Sequence, residues 1–148
     1  MTLDKDTIAK LAARLEAAER NREPLTKITD EYPALDYEDA YAIQDAIRAS
    51  KLAAGVRITG LKAGLTSQAK MRQMNVTEPV FGFLTDQGAY PDGGEVPFDK
   101  FIAPRIEAEI ALVTHTELKG PGCHLAQVLA ATDFVLPAVE ILDSRYRD

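Results

Sequence analysis

Two apolar runs in the second half of the chain, each interrupted by glutamate, limit what the chain can fold into. Residues 104–113 carry Glu107 and Glu109, and residues 137–142 carry Glu140. Both runs are short, rich in Val, Ile and Leu, and bounded by proline or charged residues, which is typical of β-strands. Since side chains i and i+2 of a strand lie on the same face, we expect Glu107 and Glu109 to lie side by side.

Three glutamates in such runs indicate a metal site. Two carboxylates this close resist ionising together unless a cation lies between them. Their oxygens suit a hard divalent ion such as Mg²⁺ or Mn²⁺, with water or substrate completing the shell. A half-solvated strand shows the same alternation without a metal, so the pattern alone leaves both interpretations open. Glu140 favours the metal, because a charge inside an apolar run usually needs a partner.

Composition excludes several classes of protein. With 148 residues, 46% of them hydrophobic, the chain can bury one core. The net charge is −6 and the acids and bases are mixed, which argues against nucleic acid as a partner. No apolar run is long enough to span a bilayer, and the N-terminus lacks the layout of a signal peptide. A single cysteine fits a reducing compartment, so we expect a cytoplasmic protein without a membrane partner.

The remaining pattern predicts an α+β protein in which N-terminal helices precede a mixed, β-rich body. We expect a helical cap over residues 1–55 and the first part of a β-rich catalytic domain over residues 56–148. Gly55 lies where a left-handed residue ends a helix. The expected helices are 4–19, 36–54, a short one ending at 74, and 125–131; the expected strands are 56–62, 102–114 and 134–142, with short strands and turns over 79–98. The inward positions of the second helix are predicted to be Ala40, Ile43, Ile47 and Leu52.

Six sequence blocks, in a fixed order, resemble one family of enzymes. The blocks are residues 60–67 (GLKAGLTS), 69–74 (AKMRQM), 79–84 (PVFGFL), 104–110 (PRIEAEI), 120–124 (GPGCH) and 137–146 (PAVEILDSRY). Together they resemble the 4-oxalocrotonate decarboxylases of catechol meta-cleavage pathways and their relatives, the 2-hydroxypentadienoate (vinylpyruvate) hydratases. Both groups belong to the fumarylacetoacetate hydrolase superfamily. Members continue beyond this length, so the chain resembles their N-terminal part, with a fold incomplete at the C-terminus.

The resemblance implies roles for particular residues. It implies a Mg²⁺ or Mn²⁺ site formed by Glu107, Glu109 and Glu140. It also implies a catalytic lysine near the metal, at Lys62. By residue type alone, Lys62 would be a solvated strand residue. In a desolvated site its pKa would fall, and it could contact the substrate or assist proton transfer.

Substrate contacts and reaction type follow from neighbouring positions. Thr66 and Ser67 belong to the block of the lysine and are candidates for substrate binding, although helix capping explains them equally well. In the related hydratases the block that corresponds to residues 79–82 resembles Pro-Asp-Phe-Gly, whereas this chain has Val80 in place of the aspartate. Adding water needs a group that moves protons, whereas loss of CO₂ mainly needs an electron sink. Val80 therefore favours a decarboxylase. Arg72 and Arg105 are the local options for holding a distal carboxylate.

The expected activity is metal-dependent decarboxylation of 2-oxohex-3-enedioate (4-oxalocrotonate) to 2-hydroxypenta-2,4-dienoate and CO₂, in the meta-cleavage catabolism of aromatic compounds. Two alternatives stay open: a hydratase or another 2-oxo acid lyase or hydrolase of the superfamily, and an inactive fragment that only binds metal. The expected partners are a small 2-oxo dicarboxylate, a second copy of the chain through exposed sheet edges, and the vinylpyruvate hydratase of the pathway. We interpret His115, Cys123 and His124 as structural, because they lack the spacing of a zinc site or a nucleophilic pair.

Overall fold

The helices and strands that the sequence predicts occur in the expected order, and the structure adds one helix of four residues between the first two predicted helices. The computed structural model describes residues 2–147. Its elements are α1 (Lys5–Asn21), α2 (Ile28–Glu31), α3 (Tyr37–Ala53), β1 (Ile58–Gly64), α4 (Gln68–Gln73), β2 (Val80–Thr85), β3 (Arg105–Thr114), α5 (Leu125–Ala131) and β4 (Thr132–Leu142). The α+β expectation is confirmed. None of the helices among residues 2–147 is long and apolar enough to cross a membrane.

The described chain divides into two units. One unit comprises the residues up to Lys100 together with the segment that begins at Arg145, and the other is Phe101–Ser144. The first unit holds α1 to α4 and the antiparallel pair β1–β2, and the second holds β3, α5 and β4. The predicted domains, residues 1–55 and 56–148, stay a prediction.

The core of the first unit lies between α1 and α3. Asp4 caps α1 by accepting a hydrogen bond from the Thr7 amide at 2.7 Å, as a good N-cap residue does. The apolar residues of α1 recur at helical spacing and pack against one stripe of α3. The buried members of this core are Ile8, Leu11, Ala12, Leu15, Ile28, Ile43 and Ile47.

The inward face of α3 differs in part from the prediction. Ile43 and Ile47 are buried as expected, but Ala40 is exposed and Leu52 is 45% exposed. The buried stripe runs through Asp39, Ile43 and Ile47, which are spaced four residues apart. Leu52 lies off this stripe, since each residue turns a helix by about 100° and the five residues from Ile47 to Leu52 amount to about 140° around the axis. Ala40 lies within about 20° of Ile47 around the axis, so helical periodicity does not account for its exposure. Beyond the helix, Gly55 has a φ of +85°, as predicted for the residue that ends it.

A buried carboxylate fixes the start of the chain to α3. Asp39 is fully buried and accepts hydrogen bonds from the amides of Thr2 (2.9 Å), Leu3 (3.0 Å) and Asp36 (3.3 Å) and from the Thr2 hydroxyl. Burial alone would raise the pKa of Asp39, but these hydrogen bonds to the ionised form outweigh it and hold the pKa far below its ordinary value. Sequence periodicity does not indicate this contact, because aspartate is rarely buried.

The segment after β4 returns to the first unit. Leu25 donates its amide to the Arg145 carbonyl at 2.8 Å, and the Arg147 amide donates to the Leu25 carbonyl at 2.9 Å. The Arg145 guanidinium pairs with Glu19 on α1. Burial raises the pKa of Glu19, but the neighbouring Arg145 charge outweighs it and the net shift is downward. These contacts hold the returning segment against the helices.

Two side chains of α3 hold the backbone of β2. The Phe81 amide donates to the Tyr41 hydroxyl oxygen at 3.1 Å, and the Gln44 side-chain amide donates to the Phe81 carbonyl at 3.0 Å. The backbone N–H and C=O groups of Phe81 are therefore both hydrogen-bonded by side chains of α3. The hairpin formed by β1 and β2 is docked on α3 through these two bonds.

We expect Asp39→Asn to lower the free energy of unfolding at neutral pH and to make that free energy less dependent on pH in the acidic range. Because the folded-state pKa lies below the ordinary value of about 3.9, the contribution of Asp39 is complete above that pH and is lost as the pH falls through the range below it. Urea unfolding followed by circular dichroism at several pH values measures this. Asp45→Asn, an exposed change on the same helix, is the control. Equal urea midpoints for Asp39→Asn and the unmodified chain would contradict the expectation.

We expect Tyr41→Phe to loosen the β1–β2 hairpin, because the Phe81 amide loses its acceptor. The loss of one hydrogen bond should lower the free energy of unfolding by about 1 kcal/mol and speed hydrogen exchange at the Phe81 amide. Both are measurable by urea titration and NMR. Tyr37→Phe, at a 55% exposed position of the same helix, serves as the matched control. An unchanged exchange rate at Phe81 would show that the hydroxyl does not hold the strand.

Candidate functional site

The strands β3 and β4 form an antiparallel ladder that carries all three glutamates. In its register Glu107 lies opposite Glu140, and Glu109 lies opposite Ala138. Residues directly opposite in an antiparallel pair lie on the same face of the sheet. The local alternation puts Glu107 and Glu109 on one face, and the register adds Glu140 to it.

The three carboxylates lie within reach of one ion. One oxygen from each residue can be chosen so that all three atoms lie within 4.8 Å of one another. Two oxygens bound to the same ion lie at most about 4.2 Å apart for Mg²⁺, with bonds of about 2.0–2.1 Å, and at most about 5 Å apart for Ca²⁺, with bonds of about 2.3–2.6 Å. Glu107 and Glu109 are exposed and Glu140 is half-buried, so these side chains can adjust. The donor set, three hard oxygens with room for further ligands, fits a divalent metal.

The opposite face of this ladder is apolar. Five of its large side chains are more than half exposed: Ile106, Ile110, Leu112, Val135 and Val139. The sequence predicts this separation for β3, where Ile106, Ile110 and Leu112 alternate with the glutamates. The ladder therefore has one apolar face and one acidic face, on which the glutamates lie beside apolar residues such as Leu136 and Phe134.

An aspartate after β4 closes the end of the ladder beside the glutamates. The Asp143 carboxylate accepts hydrogen bonds from the amides of Ile102 (2.9 Å) and Ala103 (2.7 Å). These bonds fix the chain that leads into β3, which begins at Arg105, three residues after the expected start at residue 102. Sequence analysis missed this role of Asp143. The available signal is a short polar side chain at a strand end, where such residues commonly bind free amides.

The two histidines of this unit make local polar contacts, and its cysteine is exposed. The His115 ring pairs with Asp133 at 3.0 Å, and its amide donates to the Ala131 carbonyl at 2.9 Å. His124 precedes α5, and its amide donates to the Gln127 side chain at 3.0 Å. Cys123 is exposed. None of the three belongs to the group of potential metal ligands found among residues 2–147.

Lys62 lies in the β1–β2 hairpin of the first unit. It is half-buried and pairs with Gly82. A Cβ atom on Gly82 would lie 3.4 Å from Lys62 Cγ, so the glycine leaves the stem of the lysine free to lie across the neighbouring strand. Val80 pairs with Gly64 at the end of the same hairpin.

The residues predicted to bind substrate follow β1. Leu65 has a φ of +58°, a left-handed conformation that is uncommon for a residue other than glycine. Ser67 caps α4, because its hydroxyl oxygen accepts a hydrogen bond from the Lys70 amide at 3.1 Å. Thr66 is exposed. The capping interpretation thus holds for Ser67, and its predicted role in substrate binding stays a prediction.

Comparisons of sequence relate this chain to decarboxylases and hydratases. It is 52% identical to a 4-oxalocrotonate decarboxylase of Pseudomonas sp. (strain CF600), over 99% of this chain and 56% of the relative. It is 44% identical to a 2-oxo-hept-4-ene-1,7-dioate hydratase of Escherichia coli, over 96% of this chain and 53% of the relative. No family model matches the chain.

Comparison of structures gives the same relationship. The 4-oxalocrotonate decarboxylase from Pseudomonas putida G7, solved in complex with magnesium and adipate, matches with a TM-score of 0.93 and 50% identity, over 99% of this chain and 56% of that protein. The same enzyme complexed with calcium and acetate matches with a TM-score of 0.92. The chain spans slightly more than half the length of these decarboxylases. By sequence and by fold, this chain belongs to the family of the 4-oxalocrotonate decarboxylases and the hydratases related to them.

Proposed function

We propose that this chain carries the metal-binding part of a 4-oxalocrotonate decarboxylase, which converts 2-oxohex-3-enedioate to 2-hydroxypenta-2,4-dienoate and CO₂. The observation that carries the proposal is the group of three carboxylates on one face of β3–β4, with ligand oxygens within 4.8 Å of one another. The 52% identity to a decarboxylase supports it. The complex of the Pseudomonas putida G7 enzyme with magnesium and adipate also supports it, because adipate is a six-carbon dicarboxylate like the proposed substrate.

Glu107, Glu109 and Glu140 would hold the divalent ion, which we propose to be Mg²⁺ or Mn²⁺. When bound, the ion supplies a Lewis acid that polarises the 2-oxo group and stabilises the negative charge that develops there. Three carboxylates do not fill the coordination shell of such an ion. The substrate can therefore bring its 1-carboxylate and its 2-oxo oxygen to the site that the glutamates define.

The reaction breaks the bond between C5 and C6 of the substrate. C6 leaves as CO₂, and the electron pair of the bond moves through the conjugated chain to the oxygen on C2. A proton added to that oxygen gives the hydroxyl group of the product. We assign this proton transfer to Lys62, a half-buried residue whose ammonium group can serve as the donor.

Thr66 and Ser67 are proposed to bind the substrate. The Ser67 oxygen accepts a bond from the Lys70 amide, but its hydroxyl hydrogen is still able to donate to a carboxylate. The exposed Thr66 hydroxyl offers a second donor. Hydrogen bonds to a charged acceptor are stronger than those between neutral groups, so the two hydroxyls suit a dicarboxylate.

A hydratase of the same family is the second candidate. It is favoured by relatives such as the 2-hydroxypent-2,4-dienoate hydratase of Pseudomonas putida, which is 42% identical over 99% of this chain and 66% of the relative. Val80 argues for the decarboxylase, because its half-buried side chain offers no proton to a reaction that adds water.

Association with other chains is a further part of the proposal. Apolar residues such as Ile110 and Val139 are exposed on β3–β4, and a protein seldom leaves a large apolar surface in water. We propose a homo-oligomer, and a complex with the vinylpyruvate hydratase that acts on the product. A cytoplasmic location agrees with the single cysteine.

We expect each of the variants Glu107→Gln, Glu109→Gln and Glu140→Gln to bind Mn²⁺ at least about tenfold more weakly than the unmodified chain. Each variant replaces a charged carboxylate ligand by a neutral amide of the same shape. Isothermal titration calorimetry measures the affinity. Glu117→Gln, an exposed change in the same unit, is the matched control. Unchanged Mn²⁺ affinity in all three variants would contradict the metal site.

We expect 2-hydroxypenta-2,4-dienoate to form when 2-oxohex-3-enedioate is added with Mg²⁺, and EDTA to abolish the reaction; NMR follows both.

Lys62→Met should lower kcat by about a hundredfold or more with Mn²⁺ affinity unchanged. Lys70→Met, an exposed change on α4, should have little effect. A 4-hydroxy-2-oxo acid formed from added 2-hydroxypentadienoate would favour the hydratase, and Mn²⁺ binding without turnover would favour a chain that only binds metal.

A further inference from the structure

Four positions form a square on the acidic face of β3–β4. Glu107 lies opposite Glu140, and Glu109 lies opposite Ala138. Along each strand the two corners are two residues apart, so all four side chains lie on the same face. Three corners carry a carboxylate, and the fourth carries only a methyl group.

The fourth corner is close enough to take part in the same site. Directly opposite residues of an antiparallel pair have Cβ atoms about 4.5–5.5 Å apart. A carboxylate at position 138 would therefore lie as near to Glu109 as Glu140 lies to Glu107. Ala138 is half-buried; its methyl group contributes no ligand atom and little volume, so no side chain of its own fills this corner.

The same face continues from Ala138 as an apolar surface. The next pair along the ladder is Leu136 opposite Ala111, and Leu136 is 40% exposed. The acidic corners thus lie on one side of Ala138 and a hydrocarbon surface lies on the other. A ligand that binds a cation with one end and has a carbon chain behind it matches this order.

We infer that the proposed metal site is open on the side of Ala138, and that the chelating end of a 2-oxo acid enters over this residue. The inference rests on the proposed function, and it adds Ala138 as a residue that determines access of the substrate. A larger side chain at this corner excludes the 2-oxo acid without removing a metal ligand. An acidic side chain at this corner also excludes the 2-oxo acid, and in addition it provides a fourth carboxylate ligand for the metal.

Two variants of Ala138 test this, because both should weaken binding of 2-oxoadipate but only one should change the affinity for Mn²⁺. Ala138→Val should leave Mn²⁺ affinity unchanged and weaken binding of 2-oxoadipate to the Mn²⁺-loaded chain by about tenfold, because the larger side chain clashes with the ligand. Ala138→Glu should tighten Mn²⁺ binding, since affinity rises with the number of charged ligands. It should also weaken the binding of 2-oxoadipate. Valine suits a strand position, and circular dichroism confirms the fold of each variant. The six-carbon 2-oxoadipate lacks the C3–C4 double bond, so it reports binding without turnover.

Ala108 provides the matched control. It lies on β3 between Glu107 and Glu109 but faces the apolar side, opposite Val139. The changes Ala108→Val and Ala108→Glu are the same substitutions on the other face, and we expect both to leave the two affinities near those of the unmodified chain. Calorimetric titration with Mn²⁺, then with 2-oxoadipate, measures both affinities for all five proteins.

The outcomes separate this inference from the proposed function. Weaker 2-oxoadipate binding in both Ala138 variants, with tighter Mn²⁺ binding only in Ala138→Glu, supports the open side at Ala138. Undiminished 2-oxoadipate binding in Ala138→Val, with normal Mn²⁺ binding, overturns the inference and leaves the metal site standing. Absence of Mn²⁺ binding by the unmodified chain overturns the metal site and the inference together.

Discussion

The register between β3 and β4 is the constraint on which the candidate site depends. Glu107 and Glu140 are more than thirty residues apart in the sequence, and only this register brings them opposite each other. Because side chains alternate between the faces, a slip of one residue would turn Glu140 to the apolar face and put Val139 or Ile141 beside the glutamates. The bonds from Asp143 to the amides of Ile102 and Ala103 hold the end of the ladder nearest the glutamates.

The two faces of this ladder have opposite requirements. Three carboxylates with oxygens within 4.8 Å of one another repel, so the acidic face opposes folding unless a cation neutralises it. The other face exposes large apolar side chains, including Ile106 and Val139, and gains free energy when they leave water. An ion that binds the folded ladder and not the unfolded chain would stabilise the fold in proportion to its concentration and affinity. In this unit, metal binding and folding are therefore expected to be coupled.

The first unit uses polar contacts to fix backbone segments around an apolar core. Asp39 binds the chain before α1, Tyr41 and Gln44 bind both polar groups of Phe81, and Arg145 pairs with Glu19. Each of these contacts joins residues far apart in sequence. The two bonds to Phe81 matter most for the proposed chemistry, since Ala63, the neighbour of Lys62, pairs with Phe81 in the hairpin. The position of the lysine thus depends on two side chains of a helix that take no part in the reaction.

Local sequence determined the types and order of most elements, the left-handed residue Gly55 that ends a helix, and the common face of Glu107 and Glu109, because helical and strand periodicities are properties of neighbouring residues. The ordered blocks determined the family. Sequence did not determine the burial of Asp39, the exposure of Ala40 and Leu52, or the hold of Tyr41 on Phe81. It also did not reveal that Ala138 lies opposite Glu109. Those features were decided by the tertiary structure, since they depend on which helix faces and strands meet and in which register, and local periodicity does not encode contacts between distant parts of a chain.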